Sequence, residues 1–283
     1  MEPRAPAADA SAPSSVSPVQ GKPASSSRPR PSPWLLLTAG YRRIAGWGFA
    51  LATTLLVDTF LLFESTLDVR VYGLERLKAL QRAGHNPLLV IWHGQGLLPM
   101  TTFRQENLCL YASHSREESY SRALRILRWW TLRLVERLGY AVLDAAQFKS
   151  ESRGVLKFVD VLRSGTGSVI AADGPAGPIF KAKPGPVFLA KKAGVILLPI
   201  GAAITHGFQL DNWDRFEIPW PFTQGVLVLG EPLVIPSDAN DEQLEQFRLG
   251  LESRMQSCVQ EAEQRLSGMH VTLPGLPSTR ETA

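Results

Sequence analysis

From residue 67 onward, short apolar runs alternate with longer stretches of helical periodicity. The runs "LDVRVYG", "PLLVIW", "LCLYAS", "YAVLD", "SVIAAD", "VILLPIGAAI" and "GVLVLGEPLVI" are dominated by Val, Ile and Leu, and each reads as a strand. The segments between them are long enough for helices. Strand and helix in alternation predict an α/β fold, a sheet flanked by helices, in which ligands gather at the carboxyl ends of the strands.

Two helical stretches are explicit. "SYSRALRILRWWTLRLVERLGY", residues 119–140, puts Arg122, Arg125, Arg128, Arg133 and Arg137 on about half of the circumference, with Leu124, Leu127, Trp130, Leu134 and Leu138 opposite. A helix docked on the sheet with a solvated arginine face accounts for that pattern. The alternative is a surface resting on anionic lipid, with Trp129 on the basic side. In "DEQLEQFRLGLESRMQSCVQEAEQRL" the stripe Leu244, Phe247, Leu251, Met255 and Cys258 reads as core packing.

The amino-terminal quarter has a different pattern. Residues 1–33 are Pro, Ala and Ser with almost no large apolar side chains, too little to offset ordering entropy, and read as a disordered tail. Residues 34–65 follow as a membrane-associated helical segment. From Ile44 to Phe63 its only charge is Asp58, and roughly 20 apolar residues suffice to span a bilayer. A span, a helix or helical pair dipping into one leaflet, and a core helix all fit; membrane contact is the reading adopted. Arg28, Arg30, Arg42 and Arg43 precede the run and would keep that end cytoplasmic. Residues 66–268 then form the α/β domain and 269–283 a flexible tail.

Composition narrows the chemistry. The 283 residues carry a net charge of +4, a mild basic bias that suits anionic headgroups or phosphorylated substrates. No nucleic-acid-binding signature appears, so nucleic acid is not expected as a partner. The two cysteines, Cys109 and Cys258, form no CxxC pair, and the five histidines show no HExxH spacing, so no metal site is expected.

Two stretches carry candidate chemistry. In "LLVIWHGQGLLPM" a buried-looking strand ends on His93 and the backbone then loosens at Gly94 and Gly96. Such a histidine either closes a core hydrogen bond or takes a proton from a substrate. In "AADGPAGPIFKAKPG" another strand delivers Asp173 into a loop whose glycines allow close approach of a ligand. Lys181 and Lys183 stand ready there for a phosphate; an ordinary Pro/Gly turn with solvated lysines is the plain alternative. The loop is not a Walker motif, GxGxxG is absent, and no GxSxG elbow marks an α/β-hydrolase.

Taken in order, "WHGQGLLP", "SHSREES", "DGPAGPIFKAKPG", "LAKKAGVILLPIG" and "NWDRFEIPWPF" resemble the bacterial branch of the lysophospholipid acyltransferase superfamily long catalogued as a domain of unknown function. The resemblance covers about residues 65–236. It implies a mixed sheet flanked by helices of glycerol-3-phosphate acyltransferase type, and transfer of a fatty acyl group from a thioester donor. His93 matches the superfamily's catalytic histidine. Five residues later, where the superfamily has an aspartate, stands Leu98, and the branch commonly lacks that acid. Asp173, Gly174 and Pro175 correspond to the loop that helps bind the acceptor's phosphate, with Ala176 where an arginine is usual. "SREES" stands for the branch's acidic segment, with Glu117 in place of an aspartate.

The expected mechanism is general-base catalysis by neutral His93 on a lipid hydroxyl, with acyl-CoA or acyl carrier protein as co-substrate and no bound cofactor. Asp173, Glu117 and Glu118 are the carboxylates proposed to orient the imidazole, Asp173 first among them, with a backbone carbonyl as the plain alternative. Backbone amides around Gly94 to Gly96 would meet the oxyanion. Ser113, Arg116, Glu117, Gly174, Pro175, Lys181 and Lys183 complete the expected substrate contacts. The expected partners are membrane lipids and the acyl donor. Two rival readings stay open: a lipid ester hydrolase, and a non-catalytic lipid-binding protein that kept the fold and lost the acid.

Overall fold

A computed structural model describes residues 53–104, 106–112, 122–148, 150–174 and 176–269. Among them seven strands form one sheet in the order β1-β9-β6-β2-β5-β3-β4: β1 (Asp68–Tyr72), β2 (Leu88–Ile91), β3 (Cys109–Ala112), β4 (Ala141–Asp144), β5 (Ser168–Ala171), β6 (Leu197–Ile204) and β9 (Gln224–Leu229). These are the seven apolar runs of the sequence. A separate two-stranded hairpin, β7 (Gly207–Gln209) and β8 (Glu217–Pro219), which the apolar pattern does not announce, leaves the sheet between β6 and β9.

The sheet is mixed. Strands β6, β2, β5, β3 and β4 are parallel, while β9 runs antiparallel to β6 and carries β1 parallel to itself. The carboxyl ends of β2 and β5 therefore share one edge with the amino ends of β1 and β9. Strand β2 sits between β5 and β6 and is buried at all four residues, which is why it reads as an unbroken apolar run.

Helices cover both faces. On one side α5 (Glu151–Arg163), α6 (Gly185–Ala193) and α7 (Asp241–Met269) pack around Trp92, Phe158, Leu251 and Met255. The expected stripe on α7 is core: Leu251, Met255 and Cys258 are buried, and Leu244 and Phe247 pack beside them. Gly201 of β6 lets α7 approach closely, since a Cβ there would lie 2.3 Å from the amide nitrogen of Val259. On the other side α2 (Leu74–Arg82), α3 (Leu97–Thr102) and α4 (Arg122–Arg137) contribute to the cluster of Leu77, Leu98, Val135 and Leu198. The arginine face of α4 is partly committed within the fold: Arg128 forks onto Asp144 at the end of β4, and Arg133 pairs with Glu136 and lies over Trp129.

Residues 53–65 form a helix, α1, whose Val57, Phe60 and Leu61 pack against that second cluster. No helix among the described residues is long and apolar enough to cross a membrane. Of the expected tail at 269–283, Met269 is the last residue of α7; the rest of it, the expected tail at 1–33 and most of the expected membrane segment 34–65 lie outside the described residues.

Candidate functional site

Strand β2 is followed by fully buried Trp92 and then by a single 3-10 turn, His93–Gln95. The amides of Gln95 and Gly96 donate to the carbonyls of Trp92 and His93 (both 3.1 Å), so two of the amides expected to serve an oxyanion are committed to the turn. One strand across, Asp173 follows β5. The two strand ends are stitched together: Ala172 N–H donates to the Ile91 carbonyl at 2.8 Å, and His93 N–H donates to Oδ1 of Asp173 at 3.0 Å. Both residues stand on one edge of the sheet, as strand ends in α/β folds do.

The carboxylate at the imidazole, however, is a different one. His93 Nδ1 donates to Oδ2 of Asp214, from the loop that joins β7 to β8. Asp173 was expected in that place and instead holds the backbone amide of His93, because a side chain at the end of the adjacent parallel strand meets the neighbouring main chain before it meets the ring. The histidine side chain is 45% exposed and that of Asp214 is 2% exposed. With Nδ1–H turned to the buried carboxylate, the lone pair sits on Nε2 and the acid is shielded behind the ring.

The hairpin loop is built to aim Asp214 inward. Leu210 N–H donates to the Phe216 carbonyl at 3.0 Å, and the Asn212 side chain accepts from Phe216 N–H at 3.2 Å. Arg215 closes the turn with φ of 48°, a left-handed conformation that costs a non-glycine residue of order 1–3 kcal/mol. Trp213 and Phe216 flank the imidazole, with ring centroids 5.3 Å and 6.2 Å away. Gly94 is required by this approach: a Cβ there would lie 2.1 Å from the Asp214 carbonyl oxygen. Gly177 similarly leaves room for Trp213, 2.8 Å from where its Cβ would be.

Both acids are buried, and each keeps one oxygen (Oδ2 of Asp173, Oδ1 of Asp214) without a hydrogen-bond partner among the described residues. Burial pushes the Asp173 carboxyl above the usual carboxylate range, opposed by the His93 amide and by backbone amides of Asp173 itself and Phe180. The site thus presents an outward-facing basic nitrogen backed by one carboxylate on the ring and a second on the main chain. Such an arrangement can accept a proton at Nε2 and share the resulting charge.

The remaining expected contacts divide. Gly174 has φ of 62°, and the Lys183 side chain lies across it, with Nζ 3.3 Å from where a Cβ would stand. Lys181 is turned to Glu252 of α7 at 3.1 Å, an acid that also accepts from Arg248 and from Ala182 N–H. Ser113, Arg116, Glu117, Glu118 and Pro175 lie outside the described residues. Leu98, five residues after His93, is buried in α3 against Gly225 of β9 and belongs to the core. Asp214 itself was missed because its segment offered no strand-end signal. A lone acid among the aromatics of "WDRF" was the available cue.

No protein-family profile matches the chain. An uncharacterized protein of Rickettsia prowazekii is 29% identical over 105 residues, 37% of this chain and 48% of the relative, so the match spans about half of that relative's length. Among solved structures, the 1-acyl-sn-glycerophosphate acyltransferase PlsC of Thermotoga maritima aligns with a TM-score of 0.45 and 17% identity, over 80% of this chain and 89% of PlsC.

Proposed function

We propose that the protein is a membrane-associated acyltransferase of glycerol-3-phosphate acyltransferase type, moving a fatty acyl group from acyl-CoA or acyl carrier protein to the hydroxyl of a lysophospholipid or glycolipid. The observation that carries the reading is the His93–Asp214 pair on the carboxyl edge of the sheet. Nε2 of His93 takes the acceptor's hydroxyl proton while the oxygen bonds to the thioester carbonyl carbon. The carbon–sulfur bond then breaks and the imidazolium returns the proton to the departing thiolate. Asp214 holds the ring in the required tautomer and balances its transient charge. The Gly94 amide would border the carbonyl, and Lys183, whose side chain lies across Gly174, would meet a phosphate. No serine or cysteine nucleophile is needed. The acyl thioester as donor assigns the site to the cytoplasmic face of the inner membrane.

The test is acyl transfer by the purified full chain from acyl-CoA and from acyl carrier protein to a panel of lysophospholipids and deacylated glycolipids, read by mass spectrometry. Product that depends strictly on the added thioester supports a transferase; fatty acid released without it would make the protein a lipid ester hydrolase. His93→Ala should stay folded, since its ring is half exposed, and lose about 10²-fold or more of the activity.

A further inference from the structure

The hairpin that supplies Asp214 has a second property the catalytic reading does not use. Its register pairs Phe208 with Ile218, and Leu210 bonds to Phe216, so Phe208, Leu210, Phe216, Ile218 and Trp220 share one face. Phe216 points along that face toward His93, while the outer end is bare: Phe208 and Trp220 lie against each other at 5.2 Å, Trp220 is 53% exposed and Phe222, at the hairpin's foot, 82%. Phe216 and Ile218 are half-buried, whereas Phe208 and Leu210 are each 40% exposed.

The ridge is continuous with a second apolar surface. Phe222 N–H donates to Thr66 Oγ1, just past the end of α1, and Asp68 N–H donates to the Thr223 carbonyl. In the last turns of α1, Leu62 is exposed, and Leu55, seven residues earlier on the same helical face, is exposed as well. The chain entering α1 is "IAGWGFALA", residues 44–52, which carries no charge at all. Because β1 and β9 begin where β2 and β5 end, α1, the hairpin and His93 all meet at one edge of the sheet.

We propose that the β7–β8 ridge and the outer face of α1 form one wedge that seats this edge of the molecule in the surface of a lipid bilayer. The occupant is lipid because the wedge combines interfacial residue types, Trp, Phe and Leu, with a directly connected apolar chain. Its few side chains fall well short of the roughly 20–30 residues a side that a stable protein interface uses. Insertion is driven by apolar area, since the hairpin carries Asp211, Asp214 and Glu217 against Arg215 alone, and α1 adds Asp58 and Glu64. From the proposed function the idea takes only that the acceptor is a lipid, which this seating would present directly to Nε2 of His93.

The experiment uses the full chain in phosphatidylcholine vesicles, with a nitrobenzoxadiazole label at Phe222→Cys, Trp220→Cys or Leu62→Cys, and at Ser164→Cys on the opposite edge as control. The native Cys109 and Cys258 are buried and do not compete for the label. Lipid bearing a doxyl group should quench the labels at 222, 220 and 62 by half or more and spare the one at 164, and anionic phosphatidylglycerol should not be required. Quenching at 222 and 220 no stronger than at 164 overturns the proposal. If those labels are also shielded from aqueous iodide, the ridge is covered by protein, either residues 1–52 or a second copy, and the proposal is equally overturned. Seating without acyl transfer would sink the proposed function alone, and transfer without seating would sink this inference alone.

Discussion

His93 and Asp214 meet across 121 residues of chain, the histidine at the end of a fully buried parallel strand and the aspartate at the tip of a hairpin outside the main sheet. The contact makes the imidazole's tautomer a property of the hairpin. Asp214→Asn keeps the shape but presents an N–H to Nδ1, which drives the proton to Nε2 and removes the lone pair from the reacting side. The expected result is a fall in kcat of about 10²-fold or more, with KM nearly unchanged, because substrate binding does not pass through a buried carboxylate. A variant that kept kcat while KM rose would remove Asp214 from the proton path.

Lys183 and Lys181 should differ although they stand two residues apart. Lys181 is engaged by Glu252, whereas Lys183 lies along Gly174 beside the Asp173 turn. Lys183→Ala is expected to raise KM for a phosphate-bearing substrate by about tenfold, the scale of one charge-assisted hydrogen bond, and Lys181→Ala by far less. Equal effects in steady-state kinetics would mean that phosphate is met elsewhere, or by both.

All seven sheet strands were legible: the central β2, β6 and β9, buried on both faces, leave continuous apolar runs, while the half-exposed edge strand β1 still alternates Val with Asp and Arg. His93 and Asp173 were legible for the same reason: each follows such a run, and adjacent strand ends share an edge. Asp214 was not. Its strands are three residues long and half exposed, so neither period nor burial marks them, and the pairing depends on a loop whose geometry rests on Asn212, Arg215 and the space at Gly94. Leu98 explains the other half of the miss. Local spacing on α3 cannot supply the acid, because that position faces β9 and packs on Gly225.

Asp173 makes the site pH-sensitive in stability. Burial raises its folded-state pKa above the unfolded value, so the folded protein binds the proton more tightly. Stability is then favoured at and below the ordinary carboxylate pKa and declines as pH rises through the window up to the raised folded value. Asp173→Asn retains an acceptor for His93 N–H but does not titrate. Urea unfolding over a pH series should show the wild type losing stability relative to the variant across that window, and the two curves running parallel above it. Parallel curves throughout would mean the carboxyl is not perturbed. Asp173→Ala, which strands the His93 amide, should cost about 1–3 kcal/mol at any pH.

The last prediction concerns Leu98. If an acid five residues after His93 could serve here, Leu98→Asp should rescue Asp214→Asn. The structure argues against it. Leu98 is 4% exposed, and Gly225 is kept small by its side chain, since a Cβ on that glycine would lie 2.8 Å from Leu98 Cδ2. Replacing the leucine forfeits packing worth about 2–5 kcal/mol on the scale of buried Leu→Ala changes, and the carboxyl then lacks partners at a further cost of about 1–3 kcal/mol. Leu98→Asp should therefore unfold the protein at lower urea and restore no acyl transfer to Asp214→Asn. Leu98→Met, which conserves volume, should cost less than about 1.5 kcal/mol and leave transfer intact. Recovery of transfer in the folded double variant would show that residue 98 reaches the imidazole and that the pair with Asp214 is replaceable.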